Sequence, residues 1–225
     1  MKYRLLEQVT RLLKILPLIG LVACTASSAA GPLPDPALDV PLAKTKSTAT
    51  AVLAAGCFWG VEAVYEHIKG VTDVVSGYSG GTADSAQYEK VSSGTTGHAE
   101  AVRITYDPSQ ITYGQILKVF FSVVHDPTQL NRQGPDVGTQ YRSAIFYSGD
   151  EQKKVAQAYI AQLQAAKTYG RPIVTETTAL KAFYPAEAYH QDFAARNPTY
   201  PYIVVHDLPK VANLQKQFPE IYVRR

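Results

Sequence analysis

Six stretches of the chain alternate between two hydrophobic periods in a set order, and that order leaves few folds open to it. Thr50 to Ala55 is a short apolar run ending at Gly56, and from Phe58 the apolar residues Val61, Val64, Tyr65 and Ile68 recur at helical spacing as far as Gly70. Val71 to Ser76 reads as a second strand and Ala101 to Tyr106 as a third. Thr112-x-x-Gln115 predicts a capping box opening a helix that carries Ile116, Leu117, Phe120, Phe121 and Val124, and Pro127 stops it. Ser143 to Tyr147 predicts a fourth strand, and Ser148-x-x-Glu151 the cap of a long helix running to about Lys167. Ile173 to Ala179 predicts a fifth strand before an irregular tail rich in Pro and Tyr. The first six elements read βαββαβ. That is the ferredoxin-like split βαβ order, an α+β two-layer sandwich, here with an extra C-terminal helix, strand and irregular tail.

In that topology the first two strands run one way and the next two run back, so the ends of one pair meet the starts of the other at one edge. Cys57 follows the first strand, Glu100 precedes the third and Tyr141 precedes the fourth, which brings all three to that edge. The connections arriving there, 77–100 and 125–142, are long for a small domain, and loops of that length commonly carry function. A cysteine opening a helix faces unpaired amides, which favour its thiolate and predict a lowered pKa. The competing reading is an inert buried cysteine acting as a small hydrophobe. Phe58 and Trp59 cannot both share the inward face set by Val61, Val64 and Ile68, so the pair is read either as core or as an exposed aromatic cage. Glu100 is a solvated charge if exposed, and a proton-holding acid if its surroundings are apolar. Tyr88 and Tyr141 are further possible donors, but 15 tyrosines keep either from standing out by composition. His98 near Cys57 would suit a Cys-His hydrolase, whereas His67, His125, His190 and His206 have no ligand spacing and read as structural or surface residues.

The formal charge of +3 resides in the first residues. Residues 1–23 hold Lys2, Arg4, Arg11 and Lys14 against Glu7, which leaves 18 basic and 18 acidic residues of the 22 and 19 in the chain. A neutral body argues against nucleic acid as a partner. The basic start and the apolar run Ile15 to Ala23, too short to span a bilayer, predict an export signal. Its end, Leu21-Val22-Ala23-Cys24, resembles a bacterial lipobox and predicts acylation of Cys24, which is favoured over a soluble periplasmic product cut near Ala26 or Ala30. Residues 24–49 read as a flexible linker between membrane and a domain spanning 50–225. Two cysteines exclude a disulfide scaffold and a cysteine-rich zinc site, and neither a metal nor a nucleotide cofactor has a supporting motif.

Six motifs in order carry a family resemblance: Gly56-Cys57-Phe58-Trp59-Gly60, Gly77-Tyr78-Ser79-Gly80-Gly81, Tyr88-Glu89-Lys90-Val91, Gly97-His98-Ala99-Glu100-Ala101-Val102, His125-Asp126-Pro127 and Gly138-Thr139-Gln140-Tyr141-Arg142-Ser143. Across about residues 50 to 200 the chain resembles the peptide methionine sulfoxide reductases of the MsrA type. The resemblance implies reduction of the S epimer of methionine sulfoxide, free or in proteins. It implies Cys57 as nucleophile, Phe58 and Trp59 as the cage for the substrate methyl, Glu100, Tyr88 and Tyr141 as donors facing the oxygen, and Asp136 as a substrate contact. Cys57 would be left as sulfenic acid, to be recycled by a thiol. Many relatives carry resolving cysteines in the tail, but residues 200–225 here have none, so an external thioredoxin-like protein or small thiol is expected as reductant. Val137 stands where relatives usually carry His. Met1 is the sole methionine, which suits an oxidant-exposed enzyme that repairs exported proteins. Two readings compete: a non-catalytic lipoprotein binding peptides or sulfoxides through the aromatics, and a thiol peroxidase, which would turn over on peroxide alone.

Overall fold

The computed structural model describes residues 33–225. The expected export signal, Cys24 and the first part of the expected linker lie outside the described residues.

The chain runs β1 (Ala49–Ala55), α1 (Phe58–Glu66), β2 (Val71–Ser79), α2 (Tyr88–Val91), β3 (Ala99–Tyr106) and α3 (Tyr113–Val119). It continues through β4 (Arg132–Gln133), β5 (Asp136–Val137), β6 (Ser143–Tyr147), α4 (Asp150–Ala165), β7 (Glu176–Ala179), β8 (Phe183–Pro185), α5 (Phe193–Arg196) and α6 (Leu208–Gln217). The main sheet has the order β7-β6-β1-β3-β2-β8. Its four inner strands, β6-β1-β3-β2, pair antiparallel throughout, which is the order expected of a split βαβ unit. β7 joins β6 in parallel, and β8, which strand patterning did not reveal, pairs with the end of β2.

The side-chain period of two sorts β1 onto two faces. Ala51, Leu53 and Ala55 point into the main core with Val61, Val64 and Ile68 of α1, Ile116 and Leu117 of α3 and Val155 and Tyr159 of α4. Val52 and Ala54 point the other way, into a smaller cluster with Ala99, Ala101, Ala144 and Phe146 that Leu180 and Phe183 cover. Burial on both faces explains why β1 is an apolar run without alternation.

The capping box of α3 forms as expected: the Gln115 N–H donates to Thr112 Oγ1 at 3.1 Å and the Thr112 N–H to Gln115 Oε1 at 2.9 Å. The helix then widens into a π turn over Phe120–Val124 and ends at His125, two residues before Pro127. The expected cap of α4 does not form. Gly149, at φ 93°, precedes the helix without a side-chain cap, and Gln152 rather than Glu151 accepts the Ser148 N–H, at 2.8 Å.

The described part of the expected flexible linker is docked. Leu33 is buried in the core, the Tyr159 hydroxyl donates to the Pro34 carbonyl at 2.9 Å, and Gln162 holds the backbone of Asp35 and Ala37, each at 2.8 Å. Asp39 accepts from the Gly114 N–H at 2.8 Å and from the Thr112 hydroxyl, at the start of α3. A polar segment without periodicity here follows the outside of α3 and α4, because helix-end amides and side-chain amides meet its hydrogen-bonding groups.

Glu62 of α1 is 1% exposed and neither carboxylate oxygen has a hydrogen-bond partner. Burial, helped by Glu66, pushes its pKa up to about 8. The folded state therefore holds this proton more tightly than the unfolded chain; its contribution is full below about pH 4.5 and is lost as pH rises through about 8. Glu62→Gln is expected to raise the melting temperature by roughly 3–6 °C above pH 8 and much less at pH 5, in thermal melts at the two pH values. An equal effect at both would contradict the assignment.

Candidate active site

β1 delivers the chain to Gly56, whose φ of 87° lies in the left-handed region that side chains resist; a Cβ there would also sit 2.5 Å from Gln133 Cβ. This turn sets Cys57 as the N-cap of α1, with only 8% of its surface exposed. Glu100, the second residue of β3, is 2% exposed and registers opposite Tyr78. Its Oε2 accepts the N–H of Phe58 at 3.1 Å, so a carboxyl from β3 caps the first turn of the helix that Cys57 opens.

This arrangement overturns the expected lowering of the Cys57 pKa. Burial raises it well above the ordinary thiol value, Glu100 and Asp207 add to the rise, and the Trp59 N–H and Lys210 oppose it. The Phe58 amide is committed to Glu100, which reduces what the helix end can offer the sulfur. Glu100 itself is pushed up to about 8, chiefly by burial, so it holds a proton at neutral pH.

Tyr88 opens α2, with its N–H donated to Glu187 Oε1 at 2.9 Å; the Tyr78 hydroxyl donates to the other oxygen of Glu187 at 2.8 Å. Tyr141 closes a 3₁₀ turn just before β6. Burial first, and Glu100 next, raises the pKa of both Tyr88 and Tyr141 and keeps them protonated donors. A thiolate at Cys57 adds to the rise in both, so Tyr88 and Tyr141 lie within electrostatic reach of Cys57 and Glu100. Asp136 joins them from β5, where it accepts a hydrogen bond from the Tyr202 hydroxyl.

The two aromatics after Cys57 divide. Phe58 is 1% exposed, with its ring 5.9 Å from Tyr78 and 5.0 Å from His190, so it belongs to the core rather than to an exposed pair. Trp59 is half-buried. It stacks on Phe193 at 3.8 Å, stands edge-on to Tyr200 and Tyr202, and donates its indole N–H to His190 Nδ1 at 3.2 Å. Burial lowers the His190 pKa, keeping the ring neutral with its proton on Nε2, 4.5 Å centroid to centroid from Tyr88.

His190, read from its spacing as a structural or surface residue, is instead buried against Trp59 and Tyr88; Phe193, Tyr202 and Asp207 carried no motif, and the density of aromatics in the tail was the available signal. His98 is tied to the Gly81 N–H at 3.2 Å and the Thr82 carbonyl at 3.0 Å, and it shapes the loop after β2. His125, lowered to about 4 by burial, bonds Ser143 Oγ at 2.7 Å. Among the described residues, no group of three or more His, Cys, Asp or Glu is placed to hold a metal ion.

An α+β domain that sets one buried thiol against a protonated carboxyl and two phenol hydroxyls has the equipment of a thiol enzyme. Residues 49–221 match the family model described as peptide methionine sulfoxide reductase. Among curated proteins, peptide methionine sulfoxide reductase MsrA 2 of Mesorhizobium japonicum is 64% identical over 77% of this chain and 89% of its own length. The protein of the same description from Synechocystis is 55% identical over 84% of this chain and 89% of its own. Among solved structures, the methionine sulfoxide reductase A of Corynebacterium diphtheriae superposes with a TM-score of 0.59 at 34% identity, covering 76% of this chain and 88% of that one. Mxr1 from Saccharomyces cerevisiae in reduced form gives 0.61 at 35% identity, over 70% and 92%. The chain belongs to the peptide methionine sulfoxide reductase family, MsrA type.

Proposed function

We propose that the protein reduces the S epimer of methionine sulfoxide, free or peptide-bound, to methionine, with Cys57 as nucleophile and Glu100 as acid. The observation that carries this reading is the pairing of the only thiol in the domain with a carboxyl held protonated at 2% exposure. Cys57 sulfur attacks the sulfoxide sulfur while Glu100, with Tyr88 and Tyr141, hydrogen-bonds the oxygen on which negative charge grows. Glu100 gives its proton to that oxygen and is reprotonated by the proton the thiol gives up. The oxygen passes to Cys57, the methionine thioether departs, and Cys57 is left as sulfenic acid, so the two electrons come from Cys57. Trp59, backed by the buried Phe58, forms the apolar wall for the substrate methyl, and Asp136, oriented by Tyr202, contacts the substrate.

The other half-reaction needs a thiol from outside the domain. A thioredoxin-like protein or small thiol condenses with the sulfenic acid, water leaves, and a second thiol releases Cys57. Export, with Cys24 acylated at the membrane, makes oxidised exported proteins the substrates. Without added thiol, the pre-reduced full chain is expected to yield one methionine per enzyme from the S epimer and none from the R epimer, with Cys57 gaining one oxygen in the mass spectrum. Turnover driven by peroxide alone, or an obligatory Cys24–Cys57 disulfide, would overturn this reading.

A further inference from the structure

We propose that Lys210, fixed by Asp207 in the space that Gly60 leaves open, is a positioning residue for Cys57: its ammonium favours the thiolate and Asp207 restrains it. The inference deepens the reading of Cys57 as nucleophile and rests on it. Gly60 is the third residue of α1, so it lies on the same first helical turn that Cys57 opens. A Cβ at Gly60 would fall 2.0 Å from Asp207 Oδ1 and 2.7 Å from Lys210 Nζ, so both charges occupy the ground that a side chain would fill on that turn. Asp207 Oδ1 and Lys210 Nζ are 3.2 Å apart, and Asp207 is fully buried with its Oδ2 unpartnered.

A buried carboxylate served at one oxygen only is costly as mere scaffolding, which points to a role in the site beside it. The tail puts it there. The π turn Ile203–Asp207 runs into α6 with Ile203 and Leu214 both fully buried, so the segment that carries the pair is anchored on the core.

The charged and titratable groups around Cys57 come from several elements: Glu100 from β3, Tyr88 from α2, Tyr141 before β6, and Tyr202, Asp207 and Lys210 from the tail, with Asp136 of β5 behind Tyr202. Against the acids, Lys210 acts in favour of the thiolate and Asp207 acts against it. Removing each should therefore move the thiol in opposite directions, which loss of packing over Gly60 would not do.

The test is the pH dependence of iodoacetamide alkylation of the pre-reduced full chain, read on the Cys57 peptide by mass spectrometry so that Cys24 does not contribute. Lys210→Met is expected to move the midpoint up by about one pH unit, a roughly tenfold slower reaction at fixed pH below it, with Lys210→Arg close to the parent. Asp207→Asn is expected to move the midpoint down. An unmoved midpoint in Lys210→Met, or shifts of the same sign in Lys210→Met and Asp207→Asn, would overturn the proposal. Alkylation needs no sulfoxide, so its outcome is separate from whether the chain reduces one.

Discussion

Cys57→Ser is expected to lower sulfoxide reduction by about 10⁴-fold or more, because the step consumes the two electrons that only the sulfur can give. A serine hydroxyl at that position stays protonated, and transfer of oxygen to it would require a hydroperoxide. The fold should survive: Cys57 is 8% exposed at an N-cap, where serine is a preferred residue, so melting should change little. The measurement is single turnover on the separated epimers, with the intact mass of the protein followed alongside. Residual activity within tenfold of the parent would move the chemistry away from Cys57.

Glu100→Gln should give the second largest effect, a fall of roughly 10²–10³-fold in kcat, as for loss of an acid and of its hydrogen bond to a developing oxyanion. The amide oxygen can still accept the Phe58 N–H, so the helix cap is kept while the transferable proton is lost. In the parent, activity should fall as pH rises through about 8, where Glu100 gives up its proton, and this limb should vanish in the variant. The carboxylate also raises the Cys57 pKa, so the variant should be alkylated faster while it reduces sulfoxide more slowly. Changes of the same sign in both would assign Glu100 to structure rather than to proton transfer.

Local periodicity carried most of the architecture. The order of the inner strands and the meeting of Cys57, Glu100 and Tyr141 at one edge follow from where apolar periods start and stop, which the chain states locally. The segments that the sequence left obscure lack a period. Phe183–Pro185 is a three-residue edge strand containing a proline, and it exists because the end of β2 offers it hydrogen bonds. Tyr202 and His190 reach the site through tertiary contacts of the tail, which reads as irregular in sequence but folds into α5, a π turn and α6. The Cys57 pKa was misjudged for a related reason: the helix end is visible in sequence, whereas the burial that outweighs it and the claim of Glu100 on the Phe58 amide arise only from packing. Cys57 thus holds its reactivity in reserve, with burial and the acids set against Lys210 and the Trp59 amide.

The docking of the chain from Leu33 onward also sets a leash. If Cys24 is the acylated residue, nine peptide units separate the lipid from the folded body, and even fully extended they reach no further than about 32 Å. That is comparable to the hydrocarbon thickness of a bilayer, about 30 Å. Such an enzyme would patrol a thin shell above the membrane surface, and an oxidised protein would have to enter that shell to be repaired.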